Sequence, residues 1–231
     1  MILRRITQHV KDQNWFAVIL DFFIVVAGIL IAFQITNWSE ARHDRAQERQ
    51  IIERLYTDFE KLGRDVDESL EYMEPIVAAM AEAEKLFIEQ HNQADLQRLK
   101  EFYETGLGFP SVTGQSDTYE QLVSSGEMNL LTNEHLRAEL VKQASSTRTF
   151  INSDKAVREW ARPYIMPIIR LGLLIDTMPV EEAFAKAGSK EGFIVAFGMY
   201  RGTFEGQFAQ HKAHRESFTK LTELLAEEKN K

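Results

Sequence analysis

Between Trp15 and Trp38 the chain reads WFAVILDFFIVVAGILIAFQITNW, almost wholly apolar with one charge, Asp21. A bilayer core about 30 Å thick needs about 20 apolar residues in a helix. At about 1.5 Å per residue the two tryptophans stand roughly 35 Å apart, close to the separation of the two headgroup boundaries. The pattern predicts a transmembrane helix over 15–38, with Trp15 and Trp38 as interface anchors. Residues 39–50, SEARHDRAQERQ, carry no large apolar side chain and predict a helical stalk continuing the span. Residues 1–14 form an N-terminal tail with Ile2, Leu3, Ile6 and Val10 at helical spacing. Two readings of it stay open, an interfacial helix and a frayed, solvated tail.

From residue 51 an apolar stripe appears at Ile52, Leu55, Phe59, Leu62, Val66, Leu70 and Met73. Steps of three and four are the mark of a seam packed against other helices. Pro75 is expected to end or kink this helix. A second helix is predicted over 76–90, and a short third one carries Leu96, Leu99, Phe102 and Tyr103. Residues 106–115, GLGFPSVTGQ, read as a loop. Ser116 or Asp117 then caps a helix over 118–124, and Gly126 ends it. After a connector over 127–131, Thr132 or Asn133 caps a long helix through Leu136, Leu140, Val141, Ala144 and Trp160. Pro163 and Pro167 are expected to bracket a break. The apolar run 165–175 is too short and interrupted for a second span and is assigned to the core. Residues 193–197 are expected to form an isolated buried turn, and the last helix is predicted over 202–229. Strand signals are poor throughout. The predicted fold is all-α: one N-terminal transmembrane helix, a stalk, and a helical bundle over 51–231.

Charged residues make up 27% of the chain against only 12 Gly and 5 Pro, which supports helices over a sandwich or a disordered tail. The net charge is −8, yet residues 1–38 hold Arg4, Arg5 and Lys11 against Asp12 and Asp21, so the remainder carries about −9. Phosphate backbones repel such a domain, so nucleic acid is not an expected partner. With no cysteine there are no disulfides, thiolate nucleophiles or cysteine zinc sites. Arg4 and Arg5 precede the apolar run, and no small-x-small cleavage site follows it, which predicts an uncleaved signal anchor. Arg42, Arg45 and Arg49 nearly balance the cations on the other flank. The expected topology retains the short tail in the cytoplasm and translocates the long domain across a bacterial inner membrane.

Three blocks together resemble a known family: VVAGILIAFQITNWSE, preceded by Asp21; the charged run continuing to IIERLYTDFEKL; and TYEQLVSSGEMNLLTNEHLRAELV. They are similar to an uncharacterised family of bacterial single-pass membrane proteins with a GILIALQ-N-NWNE-like span. The resemblance covers about the first 140 residues. It implies a membrane anchor and assigns no catalytic residue, cofactor or metal. Asp21 stands where many members carry Glu, and Ser39 where Asn is common.

Candidate sites are few. Asp21 costs roughly 2.5–3.5 kcal/mol at a bilayer centre and less near its edge. It reads either as a contact to a partner helix or proton-linked group, or as an edge acid snorkelling to water. Gly28 and Ala32 are spaced small-xxx-small, which lets two helix backbones approach, and Gln34 can add an interhelical hydrogen bond. His211 and His214 have a spacing that can face a metal, but no matching second pair is evident, so a solvated helix face is the expectation. Ser124-Ser125-Gly126 lacks the preceding glycine of a nucleophile elbow and reads as a helix stop. Arg137 is expected to reach the connector's carbonyls or an acidic neighbour. No catalytic, cofactor or metal set emerges. The leading expectation is a non-enzymatic interaction or scaffold protein, with the lipid bilayer and either a second copy or a partner membrane protein as its contacts. The alternative is a ligand-sensing bundle with its pocket near Trp160 and Tyr164, and an enzyme is third.

Overall fold

The computed structural model describes residues 15–88, 108–110, 114–175, 177–187 and 190–230. Every regular element among them is helical, as the all-α expectation requires: α1 (Trp15–Ile88), α2 (Asp117–Ser125), a 3-10 turn (Glu127–Leu130), α3 (Glu134–Ile175), α4 (Val180–Ala187) and α5 (Lys190–Lys229). The chain divides into two compact units, Met1–Gln50 and Ile51–Lys231. Helix α1 contributes residues to both.

In the first unit α1 is the one helix, among the described residues, long and apolar enough to cross a membrane. No part of its apolar window is buried against protein. Phe22, Phe23, Ile29, Leu30 and Phe33 all stand exposed. The Thr36 hydroxyl donates to the Ala32 carbonyl at 3.1 Å, which keeps it satisfied without leaving the helix.

The second unit is organised by a single repeat. Along α1 a buried stripe runs through Ile52, Leu55, Phe59, Leu62, Val66, Ser69, Met73, Ile76, Met80 and Ala83 in alternating steps of three and four, with Ile51 and Gly63 buried beside it. Helix α5 repeats the pattern from Phe193 and Phe197 through Tyr200, Phe204, Gln207, His211, His214, Phe218 and Leu221 to Leu225. Helix α3 follows it with Leu136, Leu140, Gln143, Thr147, Phe150, Asp154 and, further on, Ala161, Ile168 and Leu171. An average step of 3.5 residues keeps one stripe facing a neighbour over many turns, as in coiled-coil packing. Ion pairs fix the directions. Glu53 meets Lys229 at 3.3 Å, Asp67 meets Arg215 at 2.7 Å and Glu84 meets Arg201 at 2.9 Å, so α1 and α5 are antiparallel. Asn133 donates to Glu228 at 2.6 Å and Phe150 packs on His211, so α3 and α5 are antiparallel too. Helices α1 and α3 therefore run the same way.

The apolar core falls into two clusters. One gathers Leu55, Phe59 and Leu62 with Leu136 and Leu140 of α3, Leu122 of α2 and Phe218 and Leu221 of α5. The other gathers Met73, Ile76 and Met80 with Ile168 and Leu171 of α3, Phe197 and Phe204 of α5 and Ala183 of α4.

Three boundary expectations are corrected. Pro75 lies inside α1, so no second helix begins at residue 76, and Pro163 and Pro167 lie inside α3 without breaking it. Pro75 and Pro163 are exposed, while Met73, Ile76 and Ala161 are buried on the opposite face. The lost backbone hydrogen bond falls on the solvent side, and the seam holds the helix together across it. Helix α5 begins at Lys190 rather than 202, so 193–197 form its first buried turns. Gly198, Gly202 and Gly206 each cost roughly 1 kcal/mol of helix propensity, less than the burial of Phe193, Phe197, Tyr200 and Phe204 returns. The predicted helix around Leu99 lies outside the described residues.

Phe59 is 4% exposed and its ring meets Phe218 at 5.9 Å. Phe59→Ala should lower the stability of the full-length chain in detergent by about 3–5 kcal/mol, whereas exposed Lys61→Ala should leave it nearly unchanged. Because the Phe59 seam is made within one chain, the melting midpoint should not move with protein concentration; a rising midpoint would assign the seam to two copies.

Candidate functional site

Between the two apolar clusters the repeat continues, but its residues turn polar. Ser69 comes from α1, Gln143, Thr147 and Asp154 from α3, and Gln207, His211 and His214 from α5, and all are buried. His211 is 2% exposed and His214 4%. The Phe150 ring stacks on His214 at 4.4 Å and meets His211 edge-on at 5.0 Å, while Phe218 meets His214 at 4.5 Å. Both imidazoles thus occupy aromatic core positions.

Their chemistry is set by what surrounds them. The Nδ1 of His211 sits 2.9 Å from the Gln207 carbonyl, which only accepts, so Nδ1 carries the proton and Nε2 presents a lone pair. Among the described residues that Nε2 has no hydrogen-bond partner, nor do the Nε2 of His214, the Gln207 amide oxygen and nitrogen, or Oδ1 of Asp154. Burial pushes His211 below the ordinary histidine range; the Gln207 carbonyl and the Asp154 charge oppose this, and Arg158 adds to it. Burial, reinforced by His211, pushes His214 down to about 4. Both are neutral at pH 7.

Arg158 closes one side of this layer. Its Nε donates to Asp154 Oδ2 at 2.5 Å, one terminal nitrogen donates to the Phe109 carbonyl at 3.1 Å and the other to the Pro110 carbonyl. The guanidinium also lies 5.5 Å from the centre of the Phe109 ring, which packs on Phe204 at 5.2 Å. One cation therefore binds the segment 108–110 to α3.

The expectation of a solvated face for His211 and His214 is overturned. Counting from Phe204, Gln207, His211, His214 and Phe218 fall at steps of three, four, three and four, so the repeat carries the imidazoles inward. That spacing was the available signal, and polarity masked it. Among the described residues no group of three His, Asp or Glu side chains is placed to hold a metal ion.

The connector behaves as its residues predict. Ser116 caps α2, accepting from the Tyr119 amide at 3.1 Å. The Ser116 hydroxyl donates to Asp58 of α1 at 2.7 Å, and the Thr118 amide donates to the same oxygen at 3.0 Å. Gly126 ends α2 at φ 76°, a left-handed position that favours glycine. Asn133 accepts from the amides of His135 and Leu136 at 2.9 and 3.1 Å, and Arg137 donates to the Leu131 carbonyl. Ser124 and Ser125 serve only this turn, donating to the carbonyls of Gln121 and Leu122.

The residues singled out in the span are exposed within this chain. Gly28, Ala32 and Gln34 lie on the surface of α1, and a Cβ added at Gly28 would meet nothing within 4 Å. Trp38 is 65% exposed, with the Arg42 guanidinium 5.2 Å from its ring centre. Trp15 and Asp21 belong to α1, and their side chains lie outside the described residues. Trp160 and Tyr164 pack on each other at 4.8 Å, with Tyr164 against the Phe197 cluster. A cleft of about 300 Å³ between α1 and α5 is lined by Glu60, Arg64, Arg215 and Glu223, a mixture of both signs. Comparison with protein-family models, curated proteins and solved structures gives no match.

Burial raises the Asp58 carboxyl, but hydrogen bonds from Ser116 and Thr118 and the Arg54 charge outweigh it, so the net position is below the ordinary value of 3.8. Its contribution is therefore complete above about pH 4 and fades as pH falls through the lower folded value. Ser116→Ala should cost about 0.5–2 kcal/mol at pH 7. Asp58→Asn should flatten the stability profile below pH 4 in a denaturation series, leaving its shape above pH 5 unchanged.

Proposed function

We propose that the chain is a membrane-anchored interaction module, displaying an acidic helical bundle on the periplasmic side of a bacterial inner membrane. The observation that carries this reading is the exposed apolar length of α1, whose window holds no buried residue. A water-exposed surface of that size is untenable for a soluble protein, and lipid is the solvent that suits it. The arginine beside Trp38 suits a headgroup boundary. Arg4, Arg5 and Lys11 ahead of the apolar run, with no small-x-small cleavage site after it, support a translocated domain. The resemblance to single-pass bacterial membrane proteins supports the same placement. Exposed Gly28 and Ala32 supply a surface on which a second span, from another copy or a partner protein, packs closely.

Alkaline carbonate should leave the full-length chain in the membrane pellet; release into the supernatant would remove the anchor. A C-terminal alkaline phosphatase fusion should be active, and a C-terminal fluorescent protein exported by the same route should stay dark. The opposite pair of results would place the bundle in the cytoplasm. In a reporter of span association, Gly28→Leu with Ala32→Leu should reduce the signal severalfold. An unchanged signal would take those residues out of the contact.

A further inference from the structure

We propose that the polar middle layer is an acid-sensitive joint of the bundle, at which proton uptake by His211 and His214 loosens α5 from α3 while the apolar clusters on either side keep their packing. The layer is built so that neutral imidazoles fit and imidazolium does not. Each ring lies against Phe150, and His214 also against Phe218. Both Nε2 atoms are buried and, among the described residues, unpartnered, so an imidazolium here would carry a buried N–H without a hydrogen-bond partner.

The charged groups around the layer deepen the effect. On α3, Asp154 is the carboxylate in electrostatic reach of His211, and its Oδ2 is already held by Arg158 at 2.5 Å. Arg158 itself is a cation that opposes protonation of His211. On α5 the two histidines oppose each other, and the neighbouring Arg215 is turned to Asp67 of α1 at 2.7 Å. Glu216 is exposed. On α1 the buried positions at this level are Val66, Ser69 and Met73, all uncharged, and flanking Asp65 is half-buried, its backbone carbonyl accepting from Ser69. The segment 108–110 brings no titratable side chain; its Phe109 and Pro110 carbonyls are held by Arg158. A first proton on His211 has Asp154 as its counter-charge; among the described residues no carboxylate acts on His214.

The sign follows from the folded and unfolded affinities. An unfolded histidine takes its proton near pH 6.5, whereas the packed rings take theirs lower. Stability is therefore complete above about pH 6.5 and is lost as pH falls below it, for His214 down to about 4. Each ring kept neutral by the fold lowers the folding constant about tenfold per pH unit in that window. The Asp58 window lies below it.

The test uses the full-length chain in detergent micelles, followed by hydrogen exchange at pH 7 and pH 5 with intrinsic rates corrected. Protection of amides in 143–158 and 207–214 should fall more than tenfold at pH 5, while 52–62 and 218–225 retain theirs. His211→Leu with His214→Phe should abolish that loss, and His135→Gln, at an exposed position, should leave it intact. If the double variant loses protection as the native chain does, or if opening starts in the apolar clusters, the joint is refuted. Should the double variant not fold at pH 7, NMR titration of the native chain decides. Two of its six histidines should titrate well below 6.5, and six ordinary midpoints would overturn the proposal.

Discussion

Everything in the bundle depends on one periodic constraint, a seam of 3.5-residue repeat shared by α1, α3 and α5. A helix that buries every third and fourth residue in alternation keeps one continuous stripe turned to its neighbours, so position in the repeat decides what is buried. The seam therefore determines burial, and chemistry has to adapt to it. Where the repeat meets Phe, Leu and Met it builds the two apolar clusters. Where it meets Ser69, Gln143, Asp154, Gln207, His211 and His214 it buries polar groups, several without partners. Such a layer lowers stability relative to an apolar one, because buried polar groups without partners cost free energy.

The same constraint explains which parts of the fold were legible in the sequence. Leu55, Phe59, Leu62 and Val66 announce their burial because side-chain type and spacing agree. Ser116, Gly126 and Asn133 announce the helix ends because capping is a local interaction between near neighbours. Pro75, Pro163 and Pro167 misled, because a proline's local breaking strength takes no account of the seam that overrides it. His211 and His214 misled for the converse reason: polar identity argued for solvent while position argued for the core. Arg158 was out of reach of any local reading, since its carbonyl partners lie 48 and 49 residues away.

The first unit obeys a different solvent rule. Its apolar side chains are exposed on every face of α1, with no core for them to join. Water-soluble bundles hide one stripe, whereas this segment presents no polar stripe at all. Between Trp15 and Trp38 the polar interruptions are Asp21, Gln34, Thr36 and Asn37, and Thr36 is satisfied within its own helix.

The pairing of Glu53 with Lys229 has a consequence for synthesis. Residues that close the cluster around Leu55 and Phe59 come from 218–225, so this seam waits for almost the whole chain to be made. At about 5–20 residues per second, the roughly 160 residues between Phe59 and Phe218 take on the order of ten seconds or more to appear. During that interval the stripe of α1 has only its partners from α2 and α3, Leu122, Leu136 and Leu140, and lacks Phe218, Leu221 and Leu225. The order of translation thus makes α5 the element that closes this cluster.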